Sequence, residues 1–522
     1  MSQSQRQPGR PQPYAPNPYA PNQPPPPPEY HQGYGEKSAY EGDRFKQRKV
    51  LNDPLILIFF ILQFAGFCVV SGLALSTWIS QDGLGGGVGS GDTGTAASIF
   101  RWNTAPTRKL SFLVSHTVYL LLFVAATGLF LSTLYLILVR IFTRLIMHIT
   151  LVLTILLNIG ICIYYYIERY WSGAIIFTVI ALLSIFSYFG FRSRIPLAAL
   201  LLQVIVDVSK HHKSVYAVAF SAVLLQAGLS VWYSFAVIAT YAKWTPGSAS
   251  CDNGTSCSSS TVVGLVFFLT FSYIWTSMTI GNVSLATLAG GPYGCWYYFG
   301  PRDQGNMPKH PTLGSLVRAS TLSLGSIAFG SLIVTVLEIL RLVLNAVRNN
   351  ANADGQPVEA CLACCAECFI GCIEGMVQYF NRYAYIEIAL YGKPYVRAAT
   401  DTWHLFKDRG IDALVNDSLV SMTLTWGAYA VGLTCSLFGY VYLRYTNPTY
   451  NAEGQYTAPI LLFSFVIGLQ LHLTLASAIE AGVSTIFVGL GENPSILAMR
   501  APELFSMIAD RYPHVVEGVP RV

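Results

Sequence analysis

Runs of about twenty apolar residues recur along the chain between Pro54 and Leu490. A helix needs about 20 residues to span the hydrocarbon core of a bilayer. The runs are apolar on every side, whereas the strands of a membrane barrel alternate between apolar and polar residues, so the pattern predicts helices. Nine spanning helices are predicted, over residues 54–78, 112–139, 143–166, 173–190, 214–241, 262–283, 317–345, 418–443 and 457–490.

The composition agrees with an all-α polytopic membrane protein. Only 11% of the 522 residues are charged, against about 25% in an average soluble protein. With so few charges, we expect the protein to be surrounded by membrane lipids. The net charge of +5 is modest and no basic–aromatic cluster occurs, so we expect no nucleic-acid partner. The sequence contains no Walker loop, HExxH or G-x-S-x-G motif, so we predict neither an enzyme nor a cofactor.

Residues 1–50 are rich in proline and tyrosine, with PYAPN twice in tandem and five prolines at Pro24–Pro28. Such a segment cannot bury a core, so it is predicted to be disordered with polyproline II character. It is either a docking tail for a cytosolic partner or, as we favour, a solvated tail. Its basic end, Arg44–Lys49, precedes the first span and predicts a cytosolic N-terminus.

The loop at 242–261 contains the sequence CDNGTSC. Cys251 and Cys257 are candidates for a disulfide, and Asn253 begins a glycosylation sequence. Both modifications belong to the extracellular or lumenal side of a membrane. Five crossings from a cytosolic N-terminus place this loop on that same side, so two independent arguments agree.

Residues 193–213 have a different pattern. Leu197, Leu201, Val204 and Val208 recur at helical spacing, polar residues share another face, and basic residues lie at both ends. This pattern predicts an amphipathic helix on the cytoplasmic face of the membrane. A short tenth span is the alternative.

The basic segment that begins at Lys393 is predicted to be cytosolic. An even number of crossings must therefore precede it, and the clear spans before it number seven. Residues 363–391 are the candidate for one more span, although they include several charges. Otherwise, residues 317–345 must bend back as two half-helices near Gly325 or Gly330.

Glycine and proline also interrupt the chain after the sixth span, in AGGPYGCWYYFGP at residues 289–301. Broken helices of this kind line the binding sites of many transporters. The favoured alternative is an ordinary cytoplasmic turn. The sequence leaves both interpretations open.

Five of the eleven cysteines lie in CLACCAECFIGC, at Cys361, Cys364, Cys365, Cys368 and Cys372. On a straight helix the first and last lie about 16 Å apart, at 1.5 Å per residue. One metal ion cannot gather them, so no metal site is predicted. Two interpretations remain, a helix face of small packed side chains, which we favour, and S-acylation beside the membrane at Cys361, Cys364 and Cys365.

The cysteine-rich run is followed by FNRYAYIEIALYG, at Phe380–Gly392, and AATDTWHLF, at Ala398–Phe406. Together these segments resemble the signature block of the choline transporter-like family. The segment LGSIAFGSLIVTVLEILRLVL, at Leu324–Leu344, is similar to the family's seventh span. The tail at Glu492–Pro513 resembles the fungal branch, and the resemblance covers about residues 50–515.

The resemblance implies a ten-span carrier of the plasma membrane with both termini in the cytosol. We expect a tail at 1–50, a transmembrane domain at 51–491 and a cytosolic tail at 492–522. The implied substrate is choline, ethanolamine or a related cation, moved by alternating access without ATP. The alternatives are a channel-like or lipid-handling protein and a non-transporting protein with a stress or trafficking role.

A binding pocket for choline should combine aromatic faces with one carboxylate, because the cation keeps its charge when it loses water. Polar groups inside a membrane are costly and mark function. Glu480 is the candidate acid, and a helix–helix hydrogen bond is its alternative role. The candidate aromatic residues all lie within predicted spans and are Trp232, Tyr233, Tyr273, Trp275, Trp426 and Tyr429.

Coupling to protons would need titratable groups inside the spans. The candidates are Glu338, Glu480 and His472. Glu338 precedes Arg341 by three residues, so a structural ion pair on one helix is the favoured alternative. For His472 the favoured alternative is a packing role.

Overall fold

The computed structural model describes residues 51–80, 107–246, 258–301, 307–409, 412–446, 451, 454 and 457–516. Three predictions lie outside the described residues, namely the tail at 1–50, the disulfide between Cys251 and Cys257, and the glycosylation of Asn253. All regular elements among the described residues are helical.

The described part of the chain forms sixteen α-helices. In chain order they are α1 (Pro54–Ser80), α2 (Thr107–Ile141), α3 (Thr143–Ile167), α4 (Trp171–Arg192), α5 (Ile195–His211), α6 (Ser214–Trp244), α7 (Ser259–Leu288), α8 (Gly294–Phe299), α9 (Pro311–Ser320), α10 (Leu324–Ala353), α11 (Pro357–Tyr391), α12 (Tyr395–Arg409), α13 (Asp412–Thr446), α14 (Thr457–Glu492), α15 (Pro494–Arg500) and α16 (Pro502–Arg511).

Ten of the described helices are long and apolar enough to cross a membrane, namely α1 to α4, α6, α7, α10, α11, α13 and α14. The prediction of an all-α polytopic membrane protein with about ten spans is confirmed. The nine spans predicted from hydropathy all fall on these helices, and α11 is the tenth.

Helix α11 is continuous for 35 residues and ends at Gly392, which adopts the left-handed conformation with φ of 66°. Glycine is favoured at this position because it has no Cβ to clash there. The alternative in which residues 317–345 bend back is wrong, because α10 is one continuous helix. Gly330 in α10 instead permits close packing, since a Cβ there would lie 2.5 Å from the Tyr385 hydroxyl oxygen of α11.

Helix α5 confirms the helix predicted at 193–213, and the alternative of a short tenth span is wrong, since α5 is not among the candidate spans. Its apolar face is covered by protein. Leu201, Leu202 and Ile205 are at most 1% exposed, and α5 contacts α3, α13, α14 and α16. Helix α5 is therefore part of the packed core, and its apolar stripe is not left for lipid alone.

The glycines and proline after α7 produce a kink, so the expectation of an ordinary turn is wrong. Ala289–Tyr293 form a single π-helical segment in which Gly291 departs from helical geometry, and α8 continues from it. Tyr293 fixes the kink by donating a 2.7 Å hydrogen bond to the Ala478 carbonyl of α14. The kinked chain is thereby held against the last spanning helix.

The cysteine-rich run forms the first turns of α11. Cys361, Cys365, Cys368 and Cys372 are exposed, so the prediction of a packed cysteine face is wrong for the described chain. Alanine side chains provide the packed face instead, because Ala360 and Ala363 are 7% exposed. S-acylation of Cys361, Cys364 and Cys365 remains a proposal.

We call the end of the bundle where α1 begins and α14 ends the termini end. At this end, the residues that precede α1 form hydrogen bonds with neighbouring segments of the chain. The Asn52 side chain donates a 2.8 Å hydrogen bond to the Gly392 carbonyl. One carboxylate oxygen of Asp53 accepts from the Ser326 hydroxyl at 2.6 Å and from the Tyr395 backbone N–H at 2.9 Å. These contacts join α1 to the start of α10 and to the connection between α11 and α12.

Replacing the acceptor in this contact should lower stability. Asp53→Ala leaves the Ser326 hydroxyl and the Tyr395 N–H without their acceptor, at a cost of about 1–3 kcal/mol. The measurement is the midpoint of thermal unfolding in detergent. Ser326→Ala removes only one of the two hydrogen bonds and is the matched control, which should lower the midpoint less. A midpoint for Asp53→Ala equal to that of wild type would contradict this role of Asp53.

Candidate functional site

The polar face of α11 is held in place by its neighbours. Asn381 donates a 3.1 Å hydrogen bond to the Gly330 carbonyl of α10 and accepts one of 2.7 Å from the Tyr395 hydroxyl. Gln378, Asn381 and Arg382 recur at helical spacing, so they share one face of the helix. Anchoring of Asn381 therefore fixes the direction in which Gln378 and Arg382 point.

This face of α11 borders a cavity of about 290 Å³ among α7, α10, α11 and α14. About half of its lining is polar. The polar side chains in the lining are Asn282, Ser284, Gln378, Asn381, Arg382 and Ser477. Cavities of about 300–1,000 Å³ are typical of small-molecule sites. The volume of this cavity lies at the lower end of that range and suits a small ligand.

A second cavity, of about 640 Å³, lies between α11 and α13. Tyr379 and Trp426 contribute aromatic faces to its lining, and Ser421 and Thr425 contribute hydroxyls. Arg382 and Gln378 line both cavities. The two spaces therefore adjoin at these side chains.

An ion pair lies where the two cavities adjoin. The Arg382 guanidinium donates to one carboxylate oxygen of Glu480 at 3.0 Å, and the Ser421 hydroxyl donates to the other at 2.6 Å. The Glu480 side chain is 14% exposed and that of Arg382 is 30% exposed. We call these three residues, on α14, α11 and α13, the charged junction.

Beyond the first cavity, towards the termini end, buried apolar side chains lie between the helices. Leu288, Ile388 and Leu390 are at most 2% exposed, and the Tyr298 and Tyr391 hydroxyls are hydrogen-bonded to each other. This layer separates the charged junction from the termini end.

The layer ends in a cluster of charges around Lys393. Its ammonium group contacts Glu387 at 2.8 Å and Asp401 at 2.6 Å, and it lies 4.7 Å from the centre of the Tyr391 ring. Burial lowers the pKa of Lys393, but Glu387, Glu492 and Asp401 together raise it above its ordinary value. Lys393 therefore stays charged and ties α11 to α12.

The predicted binding residues are divided between two places. Glu480 belongs to the charged junction, and Trp426 lines the second cavity while its indole N–H donates a 2.9 Å hydrogen bond to Thr154. The Tyr429 ring lies 6.1 Å from that of Trp426, but Tyr429 does not line either cavity.

The other predicted aromatic residues form a separate cluster among α1, α6 and α7. The Tyr233 and Tyr273 rings stack at 4.4 Å, and Trp232 packs edge-on to Phe67 at 5.0 Å. Trp275 is 0% exposed, and its indole N–H donates a 2.9 Å hydrogen bond to the Ala328 carbonyl of α10. The six aromatic residues therefore do not converge on one pocket.

The candidates for proton coupling also lie apart. The pairing expected between Glu338 and Arg341 is wrong, because Arg341 contacts Glu374 of α11 at 3.0 Å, and Glu338 Oε2 has no hydrogen-bond partner among the described residues. The His472 side chain is 0% exposed, and its ring lies edge-on to the Tyr135 ring at 5.0 Å. Only Glu480 of the three belongs to the charged junction.

Sequence reasoning missed Arg382, Gln378 and Ser421. The signal for Arg382 was present, since it is an arginine inside a predicted span and within the segment FNRYAYIEIALYG. In the sequence, the charge of Arg382 is evidence against a membrane span. A charge inside a membrane is, however, itself a mark of function. The residues described contain no group of three or more His, Cys, Asp or Glu side chains that could hold a metal ion.

The fold and the charged junction define a polytopic helical membrane protein whose spans enclose cavities with both polar and apolar linings. A family model described as plasma-membrane choline transporter matches residues 175–495. The chain is 57% identical over 488 residues to Protein PNS1 of Cryptococcus neoformans var. neoformans, covering 93% of this chain and 86% of that protein. It is 40% identical over 484 residues to Protein PNS1 of Mycosarcoma maydis, covering 92% and 87%.

A third relative, Protein PNS1 of Gibberella zeae, is 39% identical over 494 residues, covering 94% of this chain and 88% of that protein. These matches extend over most of the chain and agree with the motifs at Phe380–Gly392 and Ala398–Phe406. The chain belongs to the choline transporter-like family.

The separate aromatic cluster should contribute mainly to stability. Trp275→Phe removes the buried hydrogen bond from the indole N–H to the Ala328 carbonyl, at a cost of about 0.5–1.5 kcal/mol. That carbonyl lies within α10 and keeps its helical donor. The readout is the thermal unfolding midpoint of the purified protein. Trp232→Phe preserves most of the ring contacts with Phe64 and Phe67 and serves as the control, which should lose less stability. Equal midpoints for the two variants would argue against this assignment.

Proposed function

We propose that the protein carries choline or a related organic cation, such as ethanolamine, across the plasma membrane by alternating access without ATP. The observation that supports this most strongly is the charged junction, since Glu480 is a carboxylate inside the bundle and is paired with Arg382, which lines both cavities. A carboxylate with aromatic neighbours offers a quaternary ammonium ion both of the contacts that it needs.

In this proposal the cation binds at Glu480, with Trp426 and Tyr379 as the nearby aromatic faces. Both aromatic residues line the second cavity together with Arg382. The Ser421 hydroxyl, which donates to Glu480 at 2.6 Å, orients the carboxylate. In this proposal the remaining predicted aromatic residues do not contact the cation; they are Trp232, Tyr233, Tyr273, Trp275 and Tyr429.

The packed layer at the termini end supports a carrier over an open channel. Leu288, Ile388 and Leu390 separate the charged junction from that end, so a solute must wait for a conformational change to pass. Alternating access moves such a layer while the site stays in place. In our proposal the termini end faces the cytosol.

The neutral variant Glu480→Gln tests the proposal. Glutamine keeps the shape of the side chain and can still accept a hydrogen bond, but it cannot balance a cation, so choline uptake should fall at least about tenfold. The measurement is radiolabelled choline uptake into liposomes with a negative-inside potential and competing unlabelled choline. Uptake by wild type should saturate and should be reduced by the competitor.

The matched control is Glu168→Gln, which changes an exposed glutamate at the end of α3 and should leave uptake unchanged. Size-exclusion chromatography shows whether each variant is folded. A folded Glu480→Gln protein with wild-type uptake would remove Glu480 from the site. Absence of saturable uptake by wild type for both choline and ethanolamine would overturn the proposed function.

A further inference from the structure

The charged junction already contains a cation. Arg382 occupies one oxygen of Glu480 at 3.0 Å and Ser421 the other at 2.6 Å, so the pair has no net charge. An incoming quaternary ammonium ion would therefore meet a neutral pair, and it cannot lose its own charge. It gains the full attraction of the carboxylate only if the guanidinium moves away.

We propose that Arg382 is a tethered counter-cation, which the substrate displaces from Glu480 on binding and which returns to Glu480 when the substrate leaves. The inference rests on the proposed function and specifies how the same site discriminates between its loaded and empty states. Arg382 is thus a specificity-determining residue that acts by competition with the substrate.

The position of Arg382 suits this exchange. Its side chain lines both cavities and is 30% exposed, about twice the exposed fraction of Glu480. A released guanidinium can therefore stay hydrated in either cavity, whereas the carboxylate stays inside the bundle. The long arginine side chain has the rotatable bonds for such a movement, while Asn381 anchors the helix beside it.

Return of Arg382 has a second consequence, for the empty carrier. A buried carboxylate with no partner is strongly unfavourable, so the empty protein reorients with Glu480 paired. In the loaded protein the substrate takes the place of the guanidinium. Glu480 thus has one positively charged partner in both states, and each state can pass through the same movement.

Arg382→Gln separates the two steps. With wild-type protein in liposomes and no membrane potential, net uptake requires return of the empty carrier, whereas exchange against preloaded unlabelled choline does not. In Arg382→Gln the ratio of net uptake to exchange should fall at least about tenfold, because the Glu480 carboxylate, left without its counter-charge, hinders the return of the empty carrier. Loss of the competing cation should also lower the KM for exchange by about threefold or more.

Two further variants complete the test. Arg382→Lys keeps the charge and should retain a ratio of net uptake to exchange near that of wild type. Arg341→Gln is the matched control, because it removes an ion pair of the same 3.0 Å length, with Glu374, away from Glu480; it should change both modes by the same factor. If Arg382→Gln does not fold, Arg382→Met is measured in its place.

Equal loss of net uptake and exchange in a folded Arg382→Gln protein would overturn the inference and leave the proposed function intact, since Arg382 would then act only as a structural tie. Unchanged values in both modes would also overturn it. A wild-type protein inactive in both modes would overturn the proposed function and the inference together.

Discussion

A carboxylate inside a helical bundle has to be neutralised, because taking an ion out of water is costly unless a partner meets it. Glu480 is 14% exposed, and Arg382 and Ser421 supply its partners at 3.0 and 2.6 Å. The three side chains come from α14, α11 and α13, so this one requirement fixes how the three helices meet. The two cavities and the path proposed through them follow from that meeting.

The rest of the bundle keeps Arg382 in position. Asn381 is held by the Gly330 carbonyl and the Tyr395 hydroxyl, and Gly330 leaves room for Tyr385 where a larger residue would not fit. At the termini end Asp53 joins α1 to α10 and α12. The charged junction is therefore supported by contacts that lie between it and the termini end of the bundle.

Hydropathy alone predicted nine of the ten spans, because each contains a long apolar stretch with few charges. Helix α11 was predicted as a span only by counting membrane crossings, because its charges lower its hydropathy. Those charges are paired with other elements, which a sequence pattern does not show; the pairs are Glu367 with Arg348, Glu374 with Arg341, Arg382 with Glu480 and Glu387 with Lys393. Glu480 was identified from its depth in a span, whereas the division of the aromatic residues between two places depends on which helices are neighbours.

The most direct measurement is a cryo-electron microscopy structure of the protein in lipid nanodiscs with saturating choline. The account predicts density for the trimethylammonium group within about 6 Å of the Trp426 or Tyr379 ring, in contact with the Glu480 carboxylate and with the Arg382 guanidinium turned away from it. Choline density at another site, with the pair between Arg382 and Glu480 intact, would contradict the account.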